Sequence, residues 1–552
     1  MSDSVNRAFD QLLQEFYHAW FRFHPEEAAS VGMEEYAGLL RSYDDDDIGA
    51  LISLNLSMHS ALDEIDDDEL DEDRYIDYQL IKSAVSVECH DLQELDWRYR
   101  NPLAYVPVQA VYQLLIHPVP AVQKAIKHRL QAIPEYLRGA RTLLSLMPER
   151  VVPVWLQSAI EQCEIGAGFI RNLGRHPLIS GKFTNPARLQ SLFDDASHAL
   201  QEFAHFLQQD IAHKAAGDFA VGEDRFNRLL VEKHFLDVDA KEMLAFGEKL
   251  FAETESELKA QAESMESGAD ISALLEKIRK KNPKPARLLD TYRQRMRDAH
   301  KWLRQHDLVT LPEKEALHIQ ETPGFLKPLI PFAAYEPPLP VDNTQRGLYY
   351  VTTSDDEALL AEHNLYSIDL TSVHESYPGH HLQFVTANIH HADNMTRSVH
   401  ASASLYEGWA LYCEDLMEEQ GFLNRKEHRF IMLRDRLWRA LRVIIDVRIH
   451  TQGLGIGEAS KLMVEKLGFD QQSADAELAW YSTAPTIPLC YASGYELIKA
   501  VREYQQQNDD FELKAFHDAL LQQGSIALPL VIRRAFGEDA WNYARAKVFA
   551  QG

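Results

Sequence analysis

Apolar residues recur at helical spacing along almost the whole chain, with a single interruption. In NRAFDQLLQEFYHAWFRF, Phe9, Leu12, Leu13, Phe16 and Trp20 fall on one helical stripe. The same period returns in VQKAIKHRLQAIPEYLRGARTLLSLM, LQSLFDDASHALQEFAHFLQQDIAHKA and DAKEMLAFGEKLFAETESELKAQAESM. From about 310 to 353 the chain turns Pro-rich and β-branched, in ALHIQETP, PLIPFAAYEPPLP and RGLYYVTTS, which read as short strands. Helical spacing resumes near 365. At 552 residues the chain is too long for one simple core. The expectation is a mostly α, two-lobed fold. A helical lobe would span 1–310, and a second lobe would span 311–552 with a small sheet at about 315–353.

Charge excludes some partners. The formal net charge of −28 is wrong for nucleic acid, whose phosphates need Lys and Arg, and for an anionic membrane surface. The acidic runs DDDD at 44–47 and EIDDDELDED at 64–73 read as solvated faces or helix starts. Residues 1–30 carry charges every few positions, so no signal peptide is expected there. No uncharged apolar window of about 18 residues suggests a membrane span. Cys89, Cys163, Cys413 and Cys490 lie far apart with no CxxC pair, as reduced thiols of a cytoplasmic protein would. Nothing in the sequence speaks to an oligomeric state.

Residues 374–383 read HESYPGHHLQ. The start matches the zinc-protease pattern HExxH, but the next histidines come at i+6 and i+7. On a regular helix His374 and His380 would be about 9 Å apart along the axis and about 240° apart around it. His381 would share a face with His374 but sit about 10 Å away. Neither pair could share one ion, whose bonds to nitrogen are about 2.0–2.1 Å. Pro378 and Gly379 offer an escape. Proline has no N–H for the carbonyl of His374, and glycine accepts backbone angles closed to other residues. Together they suggest a bulge that absorbs two residues and returns His380, or three and returns His381. His380 is favoured because it directly follows the glycine.

In HExxH the glutamate is a general base rather than a ligand, and Glu375 takes that place. A catalytic zinc usually has three protein ligands and an open position. SASLYEGWALYCEDLMEE forms a helix that offers Glu407, with Asp415 as the fallback. Glu414 lies two turns on, placed to orient a ligand histidine. The strand GLYYVTT, with Tyr350, is a candidate to bind extended substrate through its backbone.

HESYPGHHLQ, YEGWALYCEDL and LWRALRVIIDVRIHTQGLG, in that order, resemble bacterial domain-of-unknown-function family 885, often described as metallopeptidase-like. FYHAWFRFHPEEAASVGM and IPFAAYEPP extend the resemblance over nearly the whole chain. That family in turn looks distantly like the glutamate-zincin oligopeptidases, which implies a helical, two-lobed body with a deep cleft for short peptides. One such group, the dipeptidyl peptidase III type, has a histidine motif lengthened by one residue. Two departures stand out. Many members look exported or lipid-anchored, whereas no export signal is expected here. DVRIH, with Val447 and Arg448, replaces an expected DTGLH-like stretch.

With the resemblance in view, Arg442, Asp446 and His450 form an i, i+4, i+8 stripe. Arg442 would hold a substrate carboxylate, or His450 would donate to an oxyanion. Tyr491 and Tyr495 in PLCYASGYELI are further oxyanion donors. The expected activity is zinc-dependent hydrolysis of short peptides, with one Zn²⁺ on His374, His380 and Glu407. The alternatives are hydrolysis of another amide or ester on the same residues, or a non-catalytic helical binding protein. The ligand set suits zinc, with manganese and cobalt as other possibilities.

Overall fold

A computed structural model describes residues 2–182, 186–327, 330, 332–354 and 356–550. Among them helices dominate, and strands are confined to one three-stranded sheet. The chain is mostly α with a small sheet, as expected. It divides into two compact units, Met1–Phe219 and Ala220–Gly552. The change of register near 310 therefore falls inside the second unit. Packing explains this: helix Ala240–Met265 lies along helix Lys426–Thr451. Their approach is so close at Gly247 that a Cβ there would come within 2.8 Å of Val443 Cγ1.

In the first unit, helices Val122–Leu146, Pro153–Asn172 and Pro186–Phe206 pack together. Phe9, Phe16 and Trp20 of the opening stripe are buried. Both acidic runs reach helix starts, where carboxylates meet unpaired N–H groups and the positive end of the dipole. Asp45, Asp46 and Asp47 fill the first turn of Asp45–Asp63, and Asp71 accepts from the Arg74 N–H to cap Glu72–His90.

The second unit holds the sheet and the histidine motif. Strands β1 (Ala316–Glu321), β2 (Ala333–Glu336) and β3 (Arg346–Val351) lie in the order β1–β3–β2, with β1 parallel and β2 antiparallel to β3. Of PLIPFAAYEPPLP, Pro328, Leu329 and Pro331 lie outside the described residues. Tyr349 and Ile319 pack with Leu288, Tyr292 and Ile368 in one apolar cluster. This seats the sheet against helices Leu288–His306 and Leu365–Glu375. Burying each such side chain contributes about 1.5–3 kcal/mol.

The sheet corrects one expectation. β3 is central and paired on both sides, so its backbone cannot take an added substrate strand. Tyr350 is buried, and by strand alternation it faces away from Tyr349 and the cluster on the motif helix.

Candidate metal centre

The motif is not a bulged helix. Helix Leu365–Glu375 carries His374 and Glu375 and stops there, and helix His380–His391 begins afresh with His380. Residues 376–379 turn between them across a cis Tyr377–Pro378 peptide. The expected absorbed bulge is thus replaced by a complete break. Pro378 cannot extend the first helix, having no N–H to give. Gly379 makes the break compact: its N–H reaches the Val373 carbonyl at 3.1 Å. A Cβ at Gly379 would lie 1.8 Å from the His374 carbonyl oxygen, so only glycine fits. Trp409 Nε1 donates to the Pro378 carbonyl at 2.8 Å and ties the turn to the next helix.

That helix, Ala403–Glu419, presents Glu407. It meets helix Cys490–Gln505 backbone to backbone. A Cβ on Gly494 would lie 2.1 Å from the Ser404 carbonyl oxygen, and one on Gly408 would lie 2.5 Å from the Gly494 carbonyl carbon. The triplet Glu407, Gly408, Trp409 therefore does three jobs: a carboxylate, a close approach and an anchor for the turn.

The result is a three-residue cluster in which both histidines are buried and Glu407 is partly so. Nε2 of His374 and of His380 lie 3.5 and 3.4 Å from one oxygen, Oε2 of Glu407. The three ligand atoms fall within 4.8 Å of one another. Glu407 Oε2 is buried and forms no hydrogen bond among the described residues. Tetrahedral ligands about 2.0–2.1 Å from an ion lie about 3.3–3.4 Å apart. The spacing here fits a set arranged around a small divalent ion. It is too long for good imidazole–carboxylate hydrogen bonds.

Neighbouring groups orient the cluster. His374 Nδ1 lies 2.9 Å from Glu414 Oε1, which leaves Nε2 to face Glu407. Burial pulls the His374 pKa down, but Glu407, Glu414 and Glu375 outweigh it and hold it up at about 10. Burial would raise Glu407, yet the adjacent imidazoles, His380 foremost, pull it well below the usual carboxylate range. Burial pushes Glu375 up, partly offset by the two histidines. Glu375 has no hydrogen bond or ion pair among the described residues and lies within electrostatic reach of all three cluster members.

His381 takes a different part. It lies 2.8 Å from Glu315 Oε2 through Nε2 and 3.0 Å from the Tyr335 hydroxyl through Nδ1. Tyr377 donates to the same Glu315 at 2.6 Å. This network braces the turn from the sheet side. Glu315 stands in no motif and Tyr335 only in the segment IPFAAYEPP, and only the fold brings them to the histidine.

Other residues expected at the site separate. The Tyr491 hydroxyl stands beside Glu407, and burial and that carboxylate together raise its pKa far above normal. Tyr495 instead donates to Asp415, which also pairs with Arg436 at 2.8 Å, so neither Tyr495 nor the fallback ligand Asp415 serves the cluster. His450 directs Nε2 to the Tyr481 carbonyl at 3.1 Å. Asp446, next to it on the helix, is fully buried and accepts from the Thr486 N–H. Arg442 binds Glu477 and the Tyr481 hydroxyl, each at 2.9 Å, and stacks 4.4 Å from the Tyr491 ring centroid.

Two solved structures share the fold. One is a candidate lipoprotein of unknown function from Shewanella oneidensis, with 21% identity and a TM-score of 0.77 over 95% of this chain and 98% of that one. The other is a candidate lipoprotein from Colwellia psychrerythraea, with 14% identity and a TM-score of 0.80 over 96% and 98%. No curated protein matches the chain. No helix among the described residues is long and apolar enough to cross a membrane. The family described as "Bacterial protein of unknown function (DUF885)" matches residues 25–534.

Proposed function

For a chain that belongs to this bacterial family of unknown function, we propose metal-dependent hydrolysis of short peptides, with zinc as the ion. The observation that carries the reading is the Glu407 oxygen, buried without a hydrogen bond and faced by two imidazole nitrogens at tetrahedral ligand spacing. Beside it stands Glu375, a carboxyl with no structural partner.

His374, His380 and Glu407 would hold the ion. When bound, such an ion supplies Lewis acidity at the scissile carbonyl and makes water a stronger acid. The protein's own groups divide the remaining work. Glu414 engages His374 Nδ1 and so leaves Nε2 as the nitrogen that would bind the ion. Glu375 takes a proton from the attacking water and returns it to the leaving amine. Burial raises its pKa, the direction that favours returning the proton. The Tyr491 hydroxyl, kept protonated by burial, donates to the developing oxyanion.

Four buried cysteines, none in a disulfide, support a cytoplasmic location, which cell fractionation tests. The functional test is Glu375→Gln in zinc-loaded protein, assayed on a peptide library and on small amides and esters. The variant should keep its zinc and lose about 10²–10⁴-fold in turnover. An active Glu375→Gln protein would remove this mechanism. Cleavage of the small amides or esters alone would move the substrate class to a non-peptide bond.

A further inference from the structure

Beside Tyr491 lie two arginines with buried donors left over. Trp438, Arg439 and Arg442 follow one another on the helix Lys426–Thr451. The Arg442 guanidinium is 4.2 Å from the Trp438 ring centroid and 4.4 Å from that of Tyr491. The Arg439 guanidinium is 4.0 Å from Trp438 and 5.8 Å from Tyr491. Two like charges thus crowd the same two rings.

Their partners do not use them up. Arg442, only 5% exposed, gives Nε to Tyr481 and Nη2 to Glu477. Arg442 Nη1, Arg439 Nε and Arg439 Nη1 are buried with no hydrogen-bond partner among the described residues. Glu477 is the one carboxylate in ion-pair contact with either arginine among those residues. Glu414 lies within electrostatic reach of Arg439, yet neither it nor Glu477 takes up these three donors. Flat rings on either side and fork-shaped donors suit a planar anion, which a carboxylate is and a phosphate is not.

We propose that Arg439 and Arg442 form a receptor for a substrate carboxylate, so that the preferred substrates are short peptides with a free carboxylate near the scissile bond. The inference rests on the hydrolase reading and names its substrate class. Tyr491 links the two parts, since its ring touches the arginines and its hydroxyl stands beside Glu407. The carboxylate could be a peptide C-terminus or an acidic side chain, and the test separates these sources.

Binding is measured first, by calorimetry on metal-free Glu375→Gln protein. Matched N-acetyl dipeptides carry either a free C-terminus or a C-terminal amide, and a further amide carries one Glu side chain. The free acid should bind about 10- to 100-fold tighter than the plain amide, the range for hydrogen bonds to a charged group. Tight binding of the Glu-bearing amide would assign the receptor to an acidic side chain. Arg439→Gln, which breaks no ion pair, should bring the ratio of acid to amide close to one, and Arg442→Lys should lower it. Equal binding of acid and both amides by a folded protein overturns the proposal. Hydrolysis by the zinc-loaded protein is followed second, where the preference should appear in KM. Loss of hydrolysis with the binding preference intact refutes the hydrolase reading and spares the receptor. Hydrolysis of acid and both amides at equal KM does the reverse.

Discussion

Gly379→Ala puts the geometry of the broken motif under direct strain. The new methyl carbon would start 1.8 Å from the His374 carbonyl oxygen and 2.5 Å from the Val373 carbonyl oxygen, whereas real contacts essentially never fall below 3.0 Å. Relief therefore needs a displacement of at least 1.2 Å, the difference between the 3.0 and 1.8 Å distances. Both obstacles are backbone atoms of the helix that carries His374, and His380 follows Gly379 directly. The strain must part the two ligands or distort both helices. Metal bonds tolerate only about 0.2 Å of error. A displacement of this size should weaken zinc binding by about 100-fold or more, which is about 2.7 kcal/mol. Overpacking should also cost about 1–3 kcal/mol of stability. The assay is a titration of zinc into metal-free protein against a competing chelator, with denaturant unfolding measured alongside. Zinc affinity within about twofold of wild type in a folded Gly379→Ala protein would refute the argument.

Three further outcomes follow from the packing and charges. Glu414→Gln should keep the fold and weaken zinc binding about 10- to 100-fold in the same titration, because His374 loses its orienting carboxylate. Gly494→Ala sets a methyl 2.1 Å from the Ser404 carbonyl oxygen, and denaturant unfolding should show a loss of about 3 kcal/mol or more. In the first unit Glu88 is held at about 2: burial opposes ionisation, but His24, Trp20 and Asn55 outweigh it. The folded pKa lies below the unfolded one, so this contribution is fully present above about pH 4.5 and lost as pH falls toward about 2. At about 1.4 kcal/mol per unit it amounts to about 3 kcal/mol, and the acid limb of unfolding free energy should flatten in Glu88→Gln.

Local rules made much of the fold legible. Apolar periodicity located the helices, and β-branched residues between prolines located all three strands. Strand order was not legible, because pairing is decided by contacts far apart in sequence. That is why β3 was mistaken for a docking edge although it is the central strand. The site shows the same divide. Pro378 and Gly379 announced that the helix must deviate, yet they did not say whether it would bulge or stop. The choice of His380 over His381 came from sequence only as a preference. In the fold, Glu315 and Tyr335 occupy His381 from the sheet side. Glu407 and Glu414 were readable because both belong to one helix at two-turn spacing. Tyr491 and Tyr495 looked equivalent, and only the position of Asp415 separates them. Arg439 carried no signal among many helix arginines. Its unused donors become visible only when its surroundings are known.

The central claim is tested most directly by titrating zinc into metal-free wild type, His380→Ala and His381→Ala side by side. The account predicts one zinc per wild-type chain, as a three-ligand site requires. It also predicts a loss of about 100-fold or more in affinity for His380→Ala, with His381→Ala kept within about tenfold of wild type. Zinc that fails to bind the folded wild type, or that survives in His380→Ala and is lost in His381→Ala, would contradict it.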